Sequence, residues 1–335
     1  MGDRFSDLGE IEYLEYEEIG RLATQFFHPL NCSKFKQFLG KNEESKITPF
    51  SANDFYIFLT KIDKAKYENK IHKIGKILKK MESGGLLVHE GHSHSALLGD
   101  CYYAMKELTK CQSKNTLYYA EAFGLPFLRE KVKNNTVHII GKGDLGQWGN
   151  GTGFLIDSRR VLTCKHVVTG MKVNDEIEIA GNSYGFDIKI HENKDVALLV
   201  LNNEVEGVYS YPSFNNADVL DQVLVLGYPP IPCAGGDYMV SQHGEVISVI
   251  FDYLNNVHNI VLSSTTRPGN SGGPVLSKGG YIVGMVTQSS HTKESTDEEY
   301  SNKNAPYYMA MNGRELYDAI KEIDSEANID FEDYQ

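Results

Sequence analysis

Apolar residues in the first 135 positions recur at helical spacing. Ile19, Leu22, Ala23, Phe26 and Phe27 fall at i, i+3, i+4, i+7 and i+8, which lines one helix face. Pro29 ends that segment. Ser51, with Asp54 three residues on, approximates a capping box, and Phe55, Phe58, Leu59 and Ile62 form the stripe that follows. A third helix is predicted over Lys66–Met81, with Ile71, Ile74, Ile77, Leu78 and Met81 inward and Gly84-Gly85 as its stop. Two more helical segments are predicted near Cys101–Lys110 and Leu117–Lys131, and Gly85–Gly91 reads as a short strand.

The pattern changes at Val137. Short β-branched runs, broken by Gly, Asn and Asp, give twelve candidate strands between Val137 and Met311. Their regular spacing predicts an all-β barrel or sandwich. A helix over Arg314–Ile323 follows, and the acidic stretch from Asp324 is expected to stay disordered. The expected organisation is a mostly helical domain over 1–135, an all-β domain over 136–323 and an acidic tail over 324–335.

Charge divides the chain at the same place. The net charge is −12. Residues 1–135 hold 20 Lys+Arg against 18 Asp+Glu, whereas residues 136–335 hold 13 against 27. No apolar run reaches membrane-spanning length. The acidic N-terminus is unlike a secretory signal, and the five cysteines show no paired spacing. These features predict a cytoplasmic protein with reduced thiols and no membrane partner.

Two features of the first domain could carry chemistry. Lys61, Lys64, Lys66, Lys70, Lys73, Lys76, Lys79 and Lys80 make a basic run, and helices followed by a small β-element resemble a winged helix, a fold that often binds nucleic acid. No arginine lies in the run, although arginine is favoured for bidentate base contact. A solvated lysine face or a protein-docking surface is therefore expected, with nucleic acid as the alternative. His89, His92 and His94, with Cys101 nearby, raise the question of a metal. The spacing of His89 and His92 is not the i, i+4 of a helical zinc motif, and the Gly and Ser content reads as a polar loop. No metal and no cofactor are expected.

Three motifs in the all-β half do carry chemistry. In Pro268-Gly269-Asn270-Ser271-Gly272-Gly273-Pro274 a serine sits among glycines and prolines, in a turn that can expose a hydroxyl and converge backbone N–H groups. An apolar strand predicted over Val161–His166 delivers His166, and a polar turn delivers Asp195 ahead of the apolar run Val196–Leu199. A lone histidine or aspartate at such a place is ordinarily structural. In the order His, Asp, Ser, each at the edge of an all-β core, they predict a nucleophile, its base and the acid that orients the base.

These segments resemble a trypsin-like (chymotrypsin-fold) serine peptidase, closest in texture to the HtrA type, over residues 136–323. The resemblance rests on Gly151–Ile156, Leu162-Thr163-Cys164-Lys165-His166-Val167, Asp195-Val196-Ala197-Leu198-Leu199, the Ser271 motif, Val283-Gly284-Met285-Val286 and the terminal helix. Cys164-Lys165 stand where small residues are usual, and no PDZ-like domain follows. The resemblance implies two six-stranded barrels and an intracellular serine endopeptidase acting on protein substrates. Ser271, His166 and Asp195 would be its triad, and Gly269-Asn270-Ser271 its oxyanion turn, with the Gly269 and Ser271 N–H groups as donors.

The primary pocket would involve Thr265, Thr287, Gln288 and Ser289. No carboxylate stands at Thr265, so cleavage after Lys or Arg is not expected and a small or medium apolar residue is. Asn270 occupies the place of the acidic residue that pairs with a freed N-terminus in secreted trypsins, which argues against that activation route. Control is instead expected from the loop Ser289–Asn304 and the oxyanion turn, both disordered at rest and ordered when residues 1–135 engage a protein partner. The alternatives are a catalytically silent peptide binder, or a protease whose first domain binds nucleic acid.

Overall fold

The first apolar stripe forms helix α1 (Tyr13–Phe27), which ends ahead of Pro29. The structure is a computed structural model, and it describes residues 12–41, 47–95, 97–208, 210–287 and 307–332. It has two units, Met1–Leu108 with Tyr119–Phe127, and Thr109–Tyr118 with Leu128–Gln335.

In the first unit, α2 (Cys32–Leu39) closes on Gly40 at φ 73°, a left-handed cap that suits glycine. Strand β1 (Phe50–Ser51) leads into α3 (Ala52–Ile62), which starts at the predicted capping box. Ser51 Oγ accepts the Asp54 N–H at 3.2 Å and Asp54 Oδ2 accepts the Ser51 N–H at 3.0 Å. The helix predicted over Lys66–Met81 is two, α4 (Lys64–Tyr67) and α5 (Ile71–Ser83). Asp63 caps α4, and Lys70 leaves helical angles between them. Ile74, Ile77, Leu78 and Met81 are fully buried, as their spacing predicts.

Strands β2 (Val88–His92) and β3 (Asp100–Tyr103) complete a sheet in the order β1-β3-β2. The segment from Cys101 is thus a strand at its start rather than a helix. Its Tyr102-Tyr103 pair suits a pleated surface, and β3 hydrogen-bonds to neighbours on both sides. Phe26 packs against Phe27, Phe35, Phe50, Phe55 and Phe58 with ring centroids 4.7–5.3 Å apart. Truncating one such ring typically costs about 3–5 kcal/mol. The stretch predicted as one helix from Leu117 divides at Gly124 (φ 84°) into α6 (Ala120–Phe123) and α7 (Leu125–Val132).

The lysine run is largely matched by carboxylates of its own unit. Lys64 pairs with Glu68, Lys66 with Glu18, Lys70 and Lys73 with Glu15, and Lys79 with Glu82 and Asp100. Pairing of this kind lowers the field that such a face presents to phosphates, which counts against nucleic-acid binding.

The second unit carries the β-rich half. Its first strands are β4 (Thr136–Lys142), β5 (Trp148–Asp157) and β6 (Arg160–Thr163). A one-turn helix α8 (Lys165–Thr169) follows, then β7 (Lys172–Val173), β8 (Glu176–Ile179), β9 (Asn182–Ile190) and β10 (Ala197–Leu201). These seven strands form one sheet in the order β7-β4-β5-β6-β10-β9-β8. The next six are β11 (Gln222–Gly227), β12 (Val240–Asp252), β13 (Val257–Leu262), β14 (Pro274–Ser277), β15 (Ile282–Val286) and β16 (Tyr308–Asn312). They close into a barrel, β11-β12-β13-β16-β15-β14, around Val223, Val225, Val246, Ile260, Val275 and Val283. Closure leaves no free strand edge there.

Helix α9 (Gly313–Ile323) starts at Asn312, whose side chain caps the Arg314 N–H. The acidic ending, expected to be disordered, is packed as far as Glu332. Ala327, Ile329 and Glu332 are buried. Asp324 meets Arg160 at 2.8 Å and Lys189 at 3.2 Å, and Glu332 accepts the Tyr281 hydroxyl at 2.6 Å. Acidic composition misleads here because these carboxylates have partners on the barrel unit, with apolar residues between them.

Candidate active site

Strand β6 stops pairing with β10 at Thr163, and the chain turns into α8. His166 therefore lies in a one-turn helix, not at the end of the strand predicted to carry it. Its main-chain N–H donates to Asp195 Oδ1 at 2.9 Å, and its Nδ1 lies 2.7 Å from Asp195 Oδ2. A carboxylate only accepts, so Nδ1 carries the proton and Nε2 keeps a free lone pair. Burial raises the Asp195 carboxyl, but hydrogen bonds and charge from His166, with a bond from Cys164, bring it below its ordinary value.

The turn that presents Asp195 is held by residues the sequence did not single out. His191 Nδ1 accepts the Asn193 and Lys194 N–H groups at 3.1 and 2.9 Å. Lys165 Nζ donates to the His191 and Glu192 carbonyls at 3.1 and 2.8 Å. Lys165 stands where a small residue is usual, and that departure was its only signal. Cys164 is fully buried beneath the pair, its thiol bonded to the Val286 carbonyl at 3.3 Å and pushed well up by burial.

Ser271 comes from the barrel. Arg267 to Asn270 form a type II turn, with Pro268 in its second position, Gly269 at φ 96° in its third, and the Asn270 N–H on the Arg267 carbonyl at 2.9 Å. The turn over Gly269–Ser271, expected to be disordered at rest, has a regular hydrogen-bonded geometry in the structure. Gly272 and Gly273 N–H groups are also taken, by Val286 O and Asn270 O. The N–H groups of Gly269 and Ser271 donate to nothing among the described residues. The Asn270 side chain is buried without a hydrogen-bonding partner among them.

Thr152 ties this turn to the first sheet. Its hydroxyl donates to Gly269 O at 2.6 Å and accepts the Tyr228 N–H at 2.9 Å, while its own N–H donates to Ser271 O at 2.9 Å. Thr163 Oγ1 in turn donates to the Thr152 carbonyl at 2.7 Å. A polar residue between two glycines in an apolar strand was the available clue to Thr152. Gly272, at φ 84°, lies so close that a Cβ would overlap Thr152 O and Thr163 Oγ1. Gly272→Ala is thus expected to destabilise the unit by about 3 kcal/mol or more, a fall of roughly 10 °C in its calorimetric midpoint. An unchanged midpoint would mean that the turn is not held as described.

His166, Gly269 and Ser271 line one cleft of about 410 Å³, together with Thr266, Thr287, Tyr307 and Tyr308. Thr287, a predicted pocket residue, is among those lining residues. Thr265 is exposed and does not line the cleft, its neighbour Thr266 taking that place. Gln288, Ser289 and the loop Ser289–Asn304 lie outside the described residues. Among the described lining residues there is no carboxylate, and Arg267 adds a cation. His166 and Ser271 thus face one cleft, in which the Gly269 and Ser271 N–H groups have no partner among the described residues.

Residues 151–285 match the family model of the trypsin-like peptidase domain. The chain is similar to Do-like 12, a mitochondrial protein of Arabidopsis thaliana, at 30% identity over 159 residues, 44% of this chain and 30% of that relative. It is also similar to a serine protease DegP homologue of Plasmodium falciparum, at 28% over 148 residues, 42% of this chain and 16% of the relative. The chain thus spans less than a third of either relative's length. Among solved structures, the active form of the Rv3671c protease from M. tuberculosis aligns at TM-score 0.46 and 20% identity, covering 59% of this chain and 84% of that one. A serine endoprotease from Yersinia pestis aligns at TM-score 0.45 and 16% identity, covering 59% and 66%.

Proposed function

We propose, on the match of residues 151–285 to the trypsin-like peptidase family model, that this chain is a serine endopeptidase that cleaves protein substrates through an acyl-enzyme. In this reading Ser271 Oγ attacks the scissile carbonyl while His166 Nε2 takes its proton. The carbonyl π bond opens onto oxygen, and the Gly269 and Ser271 N–H groups receive that oxyanion. Collapse expels the amine, which leaves with the proton returned by His166. Water then repeats the sequence on the ester and releases the acid. Asp195 keeps the proton on Nδ1 and stabilises the imidazolium between the two transfers.

The observation that carries the proposal is the cleft that His166 and Ser271 share, with Asp195 bonded behind His166. The cation Arg267 and the tyrosines of the same cleft support a preference for an apolar residue before the scissile bond, and oppose a basic one. Residues 1–135 are assigned a regulatory role through a protein partner as part of the same proposal. All five cysteines are free, and no helix among the described residues is long and apolar enough to cross a membrane. A reducing, cytoplasmic setting belongs to the same proposal.

A fluorophosphonate probe tests it directly. The expected result is one equivalent of covalent label on the peptide bearing Ser271, and a library of peptides cut after apolar residues. Folded protein that takes no label would make the chain a peptide binder. Cutting dominated by Lys or Arg would overturn the specificity.

A further inference from the structure

Histidines three apart on a regular strand point to opposite faces. His89 and His92 do not, because β2 carries a bulge. His89 lies opposite Tyr102 and His92 opposite Asp100, so three steps along β2 match two along β3. The extra residue falls in Glu90-Gly91, where Gly91 takes φ 112°. The bulge turns both imidazoles to the face of Asp100.

We propose that the first unit binds one divalent ion of the zinc class through His89 Nε2, His92 Nδ1 and Asp100 Oδ1, with water as the fourth ligand. The ligand atoms all lie within 4.8 Å of one another. His89 Nε2 is 3.4 Å and His92 Nδ1 3.0 Å from the same oxygen, Asp100 Oδ1. Bonds of about 2.0–2.1 Å in a tetrahedron put neighbouring ligand atoms roughly 3.3 Å apart, so the two edges to Asp100 already fit and the histidine–histidine edge lies within 4.8 Å.

The other carboxylate oxygen is held from behind. Asp100 Oδ2 takes a salt bridge from Lys79 at 2.7 Å and the Tyr102 hydroxyl at 3.4 Å. Such outer contacts fix which oxygen faces a metal. The Tyr102 ring packs edge-on against His89 at 5.9 Å between centroids. Gly99 leaves room for the His92 ring, since a Cβ there would come 3.2 Å from Nδ1. Two neutral imidazoles with one carboxylate suit zinc, copper or nickel rather than calcium or magnesium. The sequence pointed away from a metal because it supplied two histidines at a non-helical spacing and gave no sign that Asp100 would join them.

The test is Zn2+ titration of the full-length chain by calorimetry, in a His166→Ala background so that the His166–Asp195–Cys164 cluster cannot compete. One equivalent is expected to bind. His89→Ala, His92→Ala and Asp100→Asn should each weaken it by roughly tenfold or more, while His94→Ala binds like its parent. His89 and His92 are exposed, so both variants should keep the parent's circular dichroism, which separates lost binding from lost fold. Co2+ in place of Zn2+ should give the intense visible bands of a four-coordinate ion. Absent binding, binding unchanged in the His89→Ala/His92→Ala double variant, equal loss in His94→Ala, or a weak six-coordinate Co2+ spectrum would each overturn the assignment.

Discussion

Ser271→Ala is expected to lower kcat against a cleavable peptide by about 10⁴-fold or more while leaving the unfolding midpoint where it was. The asymmetry follows from the position of the hydroxyl. The turn around Ser271 is held by main-chain bonds, from Thr152 N–H to Ser271 O and from Gly272 N–H to Val286 O. Alanine keeps both. On the proposed mechanism the substitution removes the attacking oxygen, leaving only the N–H donors and the cleft to assist water. Single-turnover measurements with calorimetry on the same preparation would check both halves. Residual turnover within tenfold of the parent would show that Ser271 is not the nucleophile.

Asp195→Asn comes next in size, with an expected loss of about 10⁴-fold. The carboxylate accepts twice from His166, once from the main chain and once from Nδ1. An amide can keep the first bond with its oxygen, but it then turns NH2 towards Nδ1. That nitrogen must become the acceptor, the ring proton moves to Nε2, and the base can no longer accept from Ser271. The same variant carries a stability signature. The Asp195 carboxyl lies below its ordinary value in the folded chain, so its contribution is full above the unfolded value near ~3.9 and is lost as pH falls through the folded one. The gap in midpoint between parent and Asp195→Asn should hold steady at neutral pH and narrow with acidification. A gap that widens in acid would mean that Asp195 titrates above its ordinary value.

Much of the candidate site was legible because it is written in local chemistry. A serine between glycines, a histidine after an apolar strand and an aspartate before another are short motifs, and Ser51 with Asp54 is a cap visible at a spacing of three. The remainder depends on pairing between distant segments. The strand at Asp100–Tyr103 was mistaken for a helix because its neighbours β1 and β2 are not apparent from its own composition. His166 moved into a helix because β6 loses its partner at Thr163. The ending after Asp324 packs because Arg160, Lys189 and Tyr281 meet its carboxylates. Thr266, rather than Thr265, is among the residues lining the cleft.

The hydrogen bonds of Thr152 have a bearing on the life of the chain before it is fully folded. His166 stands on the helix that follows β6, Asp195 on the turn before β10 and Ser271 in the turn that leads into β14 of the barrel, and Thr152 of β5 is joined to that turn region through Gly269, Tyr228 and Ser271. On the proposed mechanism, activity would require the first sheet and the barrel to be docked, so a chain with only one of them folded would not cut the proteins around it.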